Sequence, residues 1–147
     1  MKILNEINFC FPSKSVNEGF ARIAVAAIAA QLDPPVDELS DVKTAVSEAV
    51  TNCIVHAYRD TVGKITMCVR ILEGGIFYIK IKDLGCGIEN IEQAMEPLFT
   101  TAPNEERAGL GFAVMESFMD KLSVHSKVGK GTTIIMQKKF SVRGKNE

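Results

Sequence analysis

Apolar residues in this chain recur with two periods, and the switches between them divide it into elements. Ile7, Phe9 and Phe11 alternate with Asn8 and Cys10, as in a strand with one buried face, and Pro12 ends the run. From Val16 to Leu32 the period becomes helical, with Phe20, Ile23, Ala24, Ala27 and Ile28 as the apolar stripe. Ser15 and Glu18 have the spacing of a capping box at its start. Asp33-Pro34-Pro35 breaks the chain, and a second helical pattern runs from Val36 to Tyr58. Val62-Gly63 marks a turn. Ile65, Met67, Val69 and Ile71 then alternate with polar residues. Phe77, Ile79 and Ile81 do the same after Gly74-Gly75. The pair predicts an antiparallel hairpin with one face under helices.

The next stretch, Ile88 to Glu106, has little periodicity and carries Pro97 and Pro103. It predicts a loop with one helical turn around Glu92 to Met95, and loops this long usually act as lids or binding loops. Gly109-Leu110-Gly111 opens a helix to about Lys121, with Phe112, Met115, Phe118 and Met119 available for the core. Leu122 to Ser126 and Thr132 to Lys138 read as two further strands around a glycine turn. The whole chain, 1–147, is expected to be one domain, with about 137–147 as a frayed polar tail.

Composition narrows the function. A formal net charge of −1 gives no global field to attract nucleic acid or an anionic membrane. The longest apolar run, Ile23 to Ala30, is too short to span a bilayer. The N-terminus, MKILNEINF, lacks the core and cleavage site of a signal peptide, so a cytoplasmic protein is expected. Cys10, Cys53, Cys68 and Cys86 form no C-x-x-C pair. With only two histidines beside them a zinc site is not expected; the thiols should be reduced and mostly buried, with Cys86, between two glycines in a loop, as the exception.

The chemistry concentrates in the second helix, in SEAVTNCIVHAY from Ser47 to Tyr58. Glu48, Asn52 and His56 recur every four residues and stack along one flank. Val46, Val50, Cys53, Ile54 and Ala57 form the neighbouring apolar stripe. The polar trio therefore lies at the border of the buried face, where a cleft wall would be. An Asn offers a neutral oxygen to a hard cation such as Mg²⁺, and a Glu can deprotonate a hydroxyl. The same spacing also describes an ordinary helix edge.

Three glycine boxes follow. Asp83-Leu84-Gly85-Cys86-Gly87 places a carboxylate at a strand end beside glycines that permit close approach. That carboxylate can accept the exocyclic amine of adenine, although an Asp-Gly turn reads the same way. Gly109-Leu110-Gly111 at a helix start can admit phosphate. It fits neither the dinucleotide-binding fingerprint nor a P-loop. Gly131-Thr132-Thr133 enters the last strand, where a threonine hydroxyl could assist a base next to Asp83. Arg22 interrupts an apolar, small-residue helix surface, as a snorkelling arginine or as a partner contact.

In combination these boxes resemble the Bergerat-fold (GHKL) ATPases. The segments VSEAVTNCIVHAY, DLGCGI, PLFTT and ERAGLGF, with DPPVDELSDVKT upstream and GTTI downstream, are similar to the anti-sigma-F factors of spore-forming bacteria. The likeness covers roughly Asn8 to Met136. It implies an α/β (α+β) two-layer sandwich, with a mixed, mainly antiparallel sheet covered by helices on one face. It implies ATP/ADP and Mg²⁺ as ligands, with Asn52 on the metal and Glu48 as general base toward a substrate serine. Asp83, with Gly85 and Gly87, would read adenine, assisted by Thr132 or Thr133. Arg107, Gly109 and Gly111 would hold phosphates, and Thr100 and Thr101 would sit in the lid. His56 would have a supporting role. Leu84 and Ala108 stand where relatives carry polar residues.

The implied activity is that of a homodimeric anti-sigma factor and serine-protein kinase. It would bind an RNA polymerase sigma factor with nucleotide present, partly through Arg22, and phosphorylate a serine on an anti-anti-sigma protein. The alternatives are a sister kinase of the stress response, a detached histidine-kinase catalytic domain and a nucleotide-gated module without catalysis. The short stretch before Asn8 leaves no room for a phosphoacceptor helix.

Overall fold

The computed structural model describes residues 1–96 and 111–142. Five strands, β1 (Ile3–Pro12), β2 (Lys64–Leu72), β3 (Ile76–Asp83), β4 (Lys121–Lys127) and β5 (Gly131–Lys139), form one sheet in the order β1-β2-β3-β5-β4. Every described pair in it is antiparallel, which sharpens the expected mainly antiparallel sheet. The alternation behaves as expected. Ile65, Met67, Val69, Phe77, Ile79, Ile81, Ile134 and Met136 are buried on one face. Three helices cover that face: α1 (Val16–Ala29), α2 (Val36–Thr51) and α4 (Phe112–Phe118). The helix-facing side chains of α2 and α4, including Val42, Val46, Val50, Phe112 and Met115, complete the core. A single turn, α3 (Ile91–Ala94), is capped by Asn90, whose Oδ1 accepts from the Gln93 N–H at 3.0 Å.

Four local expectations are corrected. Ser15 does not cap α1 with its side chain. The Glu18 carboxylate is drawn instead to Arg22 Nη1 at 2.6 Å and to the Ser47 hydroxyl at 2.9 Å, so a tertiary network replaces the capping box. The second helix does not stay α to Tyr58. After Thr51 it widens into a π-helix over Asn52–Ala57, closed by the Tyr58 N–H donating to the Cys53 carbonyl at 3.0 Å. The chain is not frayed from 137. β5 continues to Lys139, Phe140 is buried against Phe77 with ring centroids 5.6 Å apart, and Glu38 accepts from Ser141. The cysteines are free and Cys86 is exposed as expected, but Cys10 is exposed too and only Cys53 is fully buried.

Strand order sets up the site. β5 lies between β3 and its hairpin partner β4, antiparallel to both. The start of β5 is therefore brought beside the end of β3, and the third glycine box meets Asp83.

Candidate active site

Asp83 ends β3 on the helix-covered face and is 4% exposed. Its Oδ1 accepts the Gly85 N–H at 2.9 Å, closing a tight turn, and the Thr132 N–H at 3.2 Å. Its Oδ2 faces the Cys53 thiol of the π-helix at 3.6 Å. Burial raises the Asp83 pKa, and the hydrogen bonds from Gly85, Thr132 and Cys53 oppose that rise only in part. A partly desolvated carboxylate of this kind favours an incoming N–H donor such as an exocyclic amine.

The loop after Asp83 is pinned on two sides. The Cys86 N–H donates to the Ala57 carbonyl at 3.1 Å, and the Gly129 N–H donates to the Cys86 carbonyl at 2.8 Å. Gly85 lies against the Ala57 backbone and Gly87 against Lys127 and Val128, in contacts that a Cβ would fill. The loop is thus held between the π-helix and the β4–β5 turn.

Sequence reasoning missed two supporting residues. The Tyr58 hydroxyl donates to the Lys64 carbonyl at 2.7 Å and accepts the Leu84 N–H at 2.6 Å, fixing the backbone beside Asp83. The Ser126 hydroxyl accepts the Ile88 N–H at 2.7 Å and lies 2.7 Å from Thr132 Oγ1. Tyr58 closes the SEAVTNCIVHAY stretch, which is the one sequence signal that pointed to it. Nothing local marked Ser126.

The two threonine candidates separate. Pairing puts Ser126 opposite Thr132 and His125 opposite Thr133. Thr132 is buried on the helix-covered face, next to Asp83. Thr133 pairs with Lys82 and His125 on the opposite, open face, and lines one cavity with Asp83 and Thr132.

Glu48 is half-buried on the last turns of α2. Gly111, immediately before α4, has φ +70° and packs against the Glu48 carboxylate; a Cβ there would collide with Oε2. The second glycine box therefore admits a carboxylate from α2 to the start of α4. Asn52 follows at the first residue of the π-helix and is 9% exposed. The π widening ends the regular four-residue stack, so His56 does not continue the line of Glu48 and Asn52. Its carbonyl accepts from Cys86 Sγ at 3.3 Å. Thr100, Thr101, Arg107 and Gly109 lie outside the described residues.

Arg22 is removed from this corner. It is held on α1 by Glu18 and, at 3.2 Å, by the hydroxyl of Ser47, the residue before Glu48.

Comparison with known proteins resolves the family. The histidine kinase-like ATPase domain family matches residues 11–138. An anti-sigma F factor of Clostridium acetobutylicum is 54% identical over 94% of this chain and 96% of the relative. Another, from Caldanaerobacter subterraneus subsp. tengcongensis, is 56% identical over the same shares. The chain belongs to the anti-sigma F factor family. Among solved structures, the RsbU and RsbW domains of Rv1364c from Mycobacterium tuberculosis align with TM-score 0.70. That match covers 94% of this chain and 32% of the other at 17% identity. The catalytic domain of histidine kinase ThkA aligns with TM-score 0.58 at 15% identity, covering 93% and 97%. Both structures show the fold: a histidine-kinase-like ATPase sandwich. This member of the anti-sigma F factor family therefore carries an ATP-binding, kinase-like architecture. No helix among the described residues is long and apolar enough to cross a membrane.

Proposed function

We propose that this chain binds and inhibits a sporulation sigma factor of RNA polymerase and, using ATP, phosphorylates a serine on an anti-anti-sigma partner. The observation that carries the kinase half of this reading is the packing of the Glu48 carboxylate on Gly111, with Asn52 one turn further on and buried. Asp83 accepts the adenine amine, with Thr132 and Ser126 holding the neighbouring backbone. Asn52 offers a neutral amide oxygen to Mg²⁺. This donor fits a metal that keeps most of its shell as water and phosphate oxygens. When bound, Mg²⁺ screens phosphate charge.

Glu48 takes the proton of the substrate serine hydroxyl as that oxygen attacks the terminal phosphorus, and ADP leaves with the bridging oxygen. Arg107, Gly109 and Gly111 hold the phosphates, with Thr100 and Thr101 in the covering lid. Arg22, at the border of an exposed apolar stripe that includes Phe20 and Ile23, docks the protein partners. The active species is a homodimer in the cytoplasm. Incubation with ATP, Mg²⁺ and candidate anti-anti-sigma proteins should yield phosphoserine on one of them. If no candidate is phosphorylated while ATP still binds, the nucleotide-gated module without catalysis replaces this reading.

A further inference from the structure

The open face of the sheet carries a charge pattern that the net charge of −1 conceals. Lys64, Lys80, Lys82, Lys121, Lys127 and Lys139 all alternate outward, away from the helices. Arg70 lies on the same face, bound at 2.6 Å by Glu6, the one carboxylate that the described strands place there. Among the described residues none of the six lysine side chains is in an ion pair. Acidic residues gather instead on the helices and loops: Glu18, Asp37, Glu38, Asp41, Glu48 and Glu116.

One end of the face is concave. Lys82, His125, Lys127, Lys130 and Thr133 line a cavity of about 300 Å³ there that they share with Asp83, Ser126, Gly131 and Thr132. Thr133 pairs with Lys82 on one side and His125 on the other, so three adjacent strands converge there. Like charges held this close repel, and a bound anion relieves the repulsion.

We propose that this face docks an acidic segment of a partner protein across Lys80, Lys82, Lys121 and Lys127. A protein fits the surface better than nucleic acid. The face is a flat lattice of lysines with no free aromatic platform for a base to stack on, because the ring of Tyr78 is covered by Arg70 at 5.0 Å. Half-buried Ile76 and Ile135 lie among the cations and give the patch the apolar centre and polar rim of a protein interface.

The test uses the intact protein and a fluorescent 20-residue poly-glutamate, read by anisotropy at low and physiological salt. The parent should bind the probe, and binding should weaken about tenfold as salt screens the face. Lys80→Glu/Lys82→Glu/Lys127→Glu should lose about tenfold or more at low salt. Lys14→Glu/Lys43→Glu/Arg59→Glu, with the same change in total charge off the face, should lose less than about threefold. Circular dichroism confirms that each variant is folded. The proposal is overturned if the parent does not bind, or if both triple variants weaken binding equally. It is also overturned if single-stranded DNA of 20 nucleotides, or vesicles of anionic phospholipid, bind the parent more tightly than poly-glutamate does. Those last results would assign the face to nucleic acid or to a membrane surface.

Discussion

The Asp83 corner and the Glu48 flank solve opposite problems. Asp83 is 4% exposed, and both of its oxygens already have partners from three elements: the β3 turn, β5 and the π-helix. Glu48 is half-buried and packs on Gly111, a residue without a side chain. The first is a carboxylate held by three donors and raised in pKa by burial. The second is a carboxylate less buried than Asp83, as suits a group that would accept a proton from an incoming hydroxyl. Under the proposed function, fixed geometry would give base selectivity at Asp83 and access would give chemistry at Glu48.

The largest expected effect lies at Glu48. Glu48→Gln keeps the shape and the hydrogen-bonding capacity of the side chain but cannot accept a proton near neutral pH. Phosphoryl transfer should fall about 10²–10⁴-fold while ADP affinity and thermal stability stay near those of the parent. A rapid-quench assay beside calorimetry makes the comparison. Transfer at the parent rate would mean that Glu48 positions other groups and that the contrast with Asp83 is one of exposure only.

Asp83→Asn should do the reverse. ADP affinity should weaken by roughly 1–3 kcal/mol, because a buried charged acceptor is lost. The nucleotide-free protein, however, should melt at a higher temperature than the parent at neutral pH. The native pKa of Asp83 lies above its ordinary value of 3.8, so the folded state holds its proton more tightly than the unfolded state does. Asp83 therefore contributes stability below pH 3.8 that is lost as pH rises through the raised native pKa. Asparagine stays neutral throughout, so the gap between variant and parent should open across that window and level off above it. Melting curves from pH 3 to 8, a range of about five units chosen to bracket an ordinary carboxylate, read it directly. A variant less stable than the parent at neutral pH would mean that the three donors outweigh burial.

What the sequence could reveal depended on the range of the interactions involved. Alternation located all five strands, and the Asp83 box fell at a strand end as its glycines required. The π-helix was hidden because Cys53, Ile54 and Ala57 remain on the buried side whether the turn is α or π. The capping box failed because Ser47, 29 residues away, competes for Glu18. Phe140 follows the last alternating run, and only the fold reveals Phe77 as its partner. The basic sheet face was invisible to a net charge. It emerges once the helices are known to cover the other side. Thr100, Thr101, Arg107 and Gly109 lie outside the described residues, so their assignment rests on family resemblance.

A smaller effect tests whether the packing beside Glu48 matters. Gly111→Ala imposes a positive φ on a residue with a Cβ and drives that Cβ into the carboxylate. Gly74→Ala imposes a similar φ of +85° with nothing within 4 Å. Both should lose about 1–2 kcal/mol of stability from backbone strain. Only Gly111→Ala should also slow phosphoryl transfer, because only there does the added methyl displace the base. Equal activity in the two variants would show that Glu48 tolerates displacement and that its surroundings are not tuned.

The smallest effect separates neighbouring threonines. Thr132 is buried beside Asp83, with its hydroxyl 2.7 Å from Ser126 Oγ, and the Ser126 hydroxyl in turn donates to the Gly131 carbonyl at 3.1 Å. Thr132→Val keeps the strand shape but leaves Ser126 short of one partner, at a cost of about 0.5–1.5 kcal/mol. Because Ser126 also holds the Ile88 N–H, the loop after Asp83 should loosen, and part of that cost should appear as weaker ADP binding. Thr133 faces the other side of the sheet, where it pairs with Lys82 and His125. Thr133→Val should therefore weaken ADP binding less than Thr132→Val does. Calorimetry with ADP on the two variants decides between them. If Thr133→Val weakens ADP and Thr132→Val does not, the bound protein must use a strand register other than the one that seats Thr132 against Asp83.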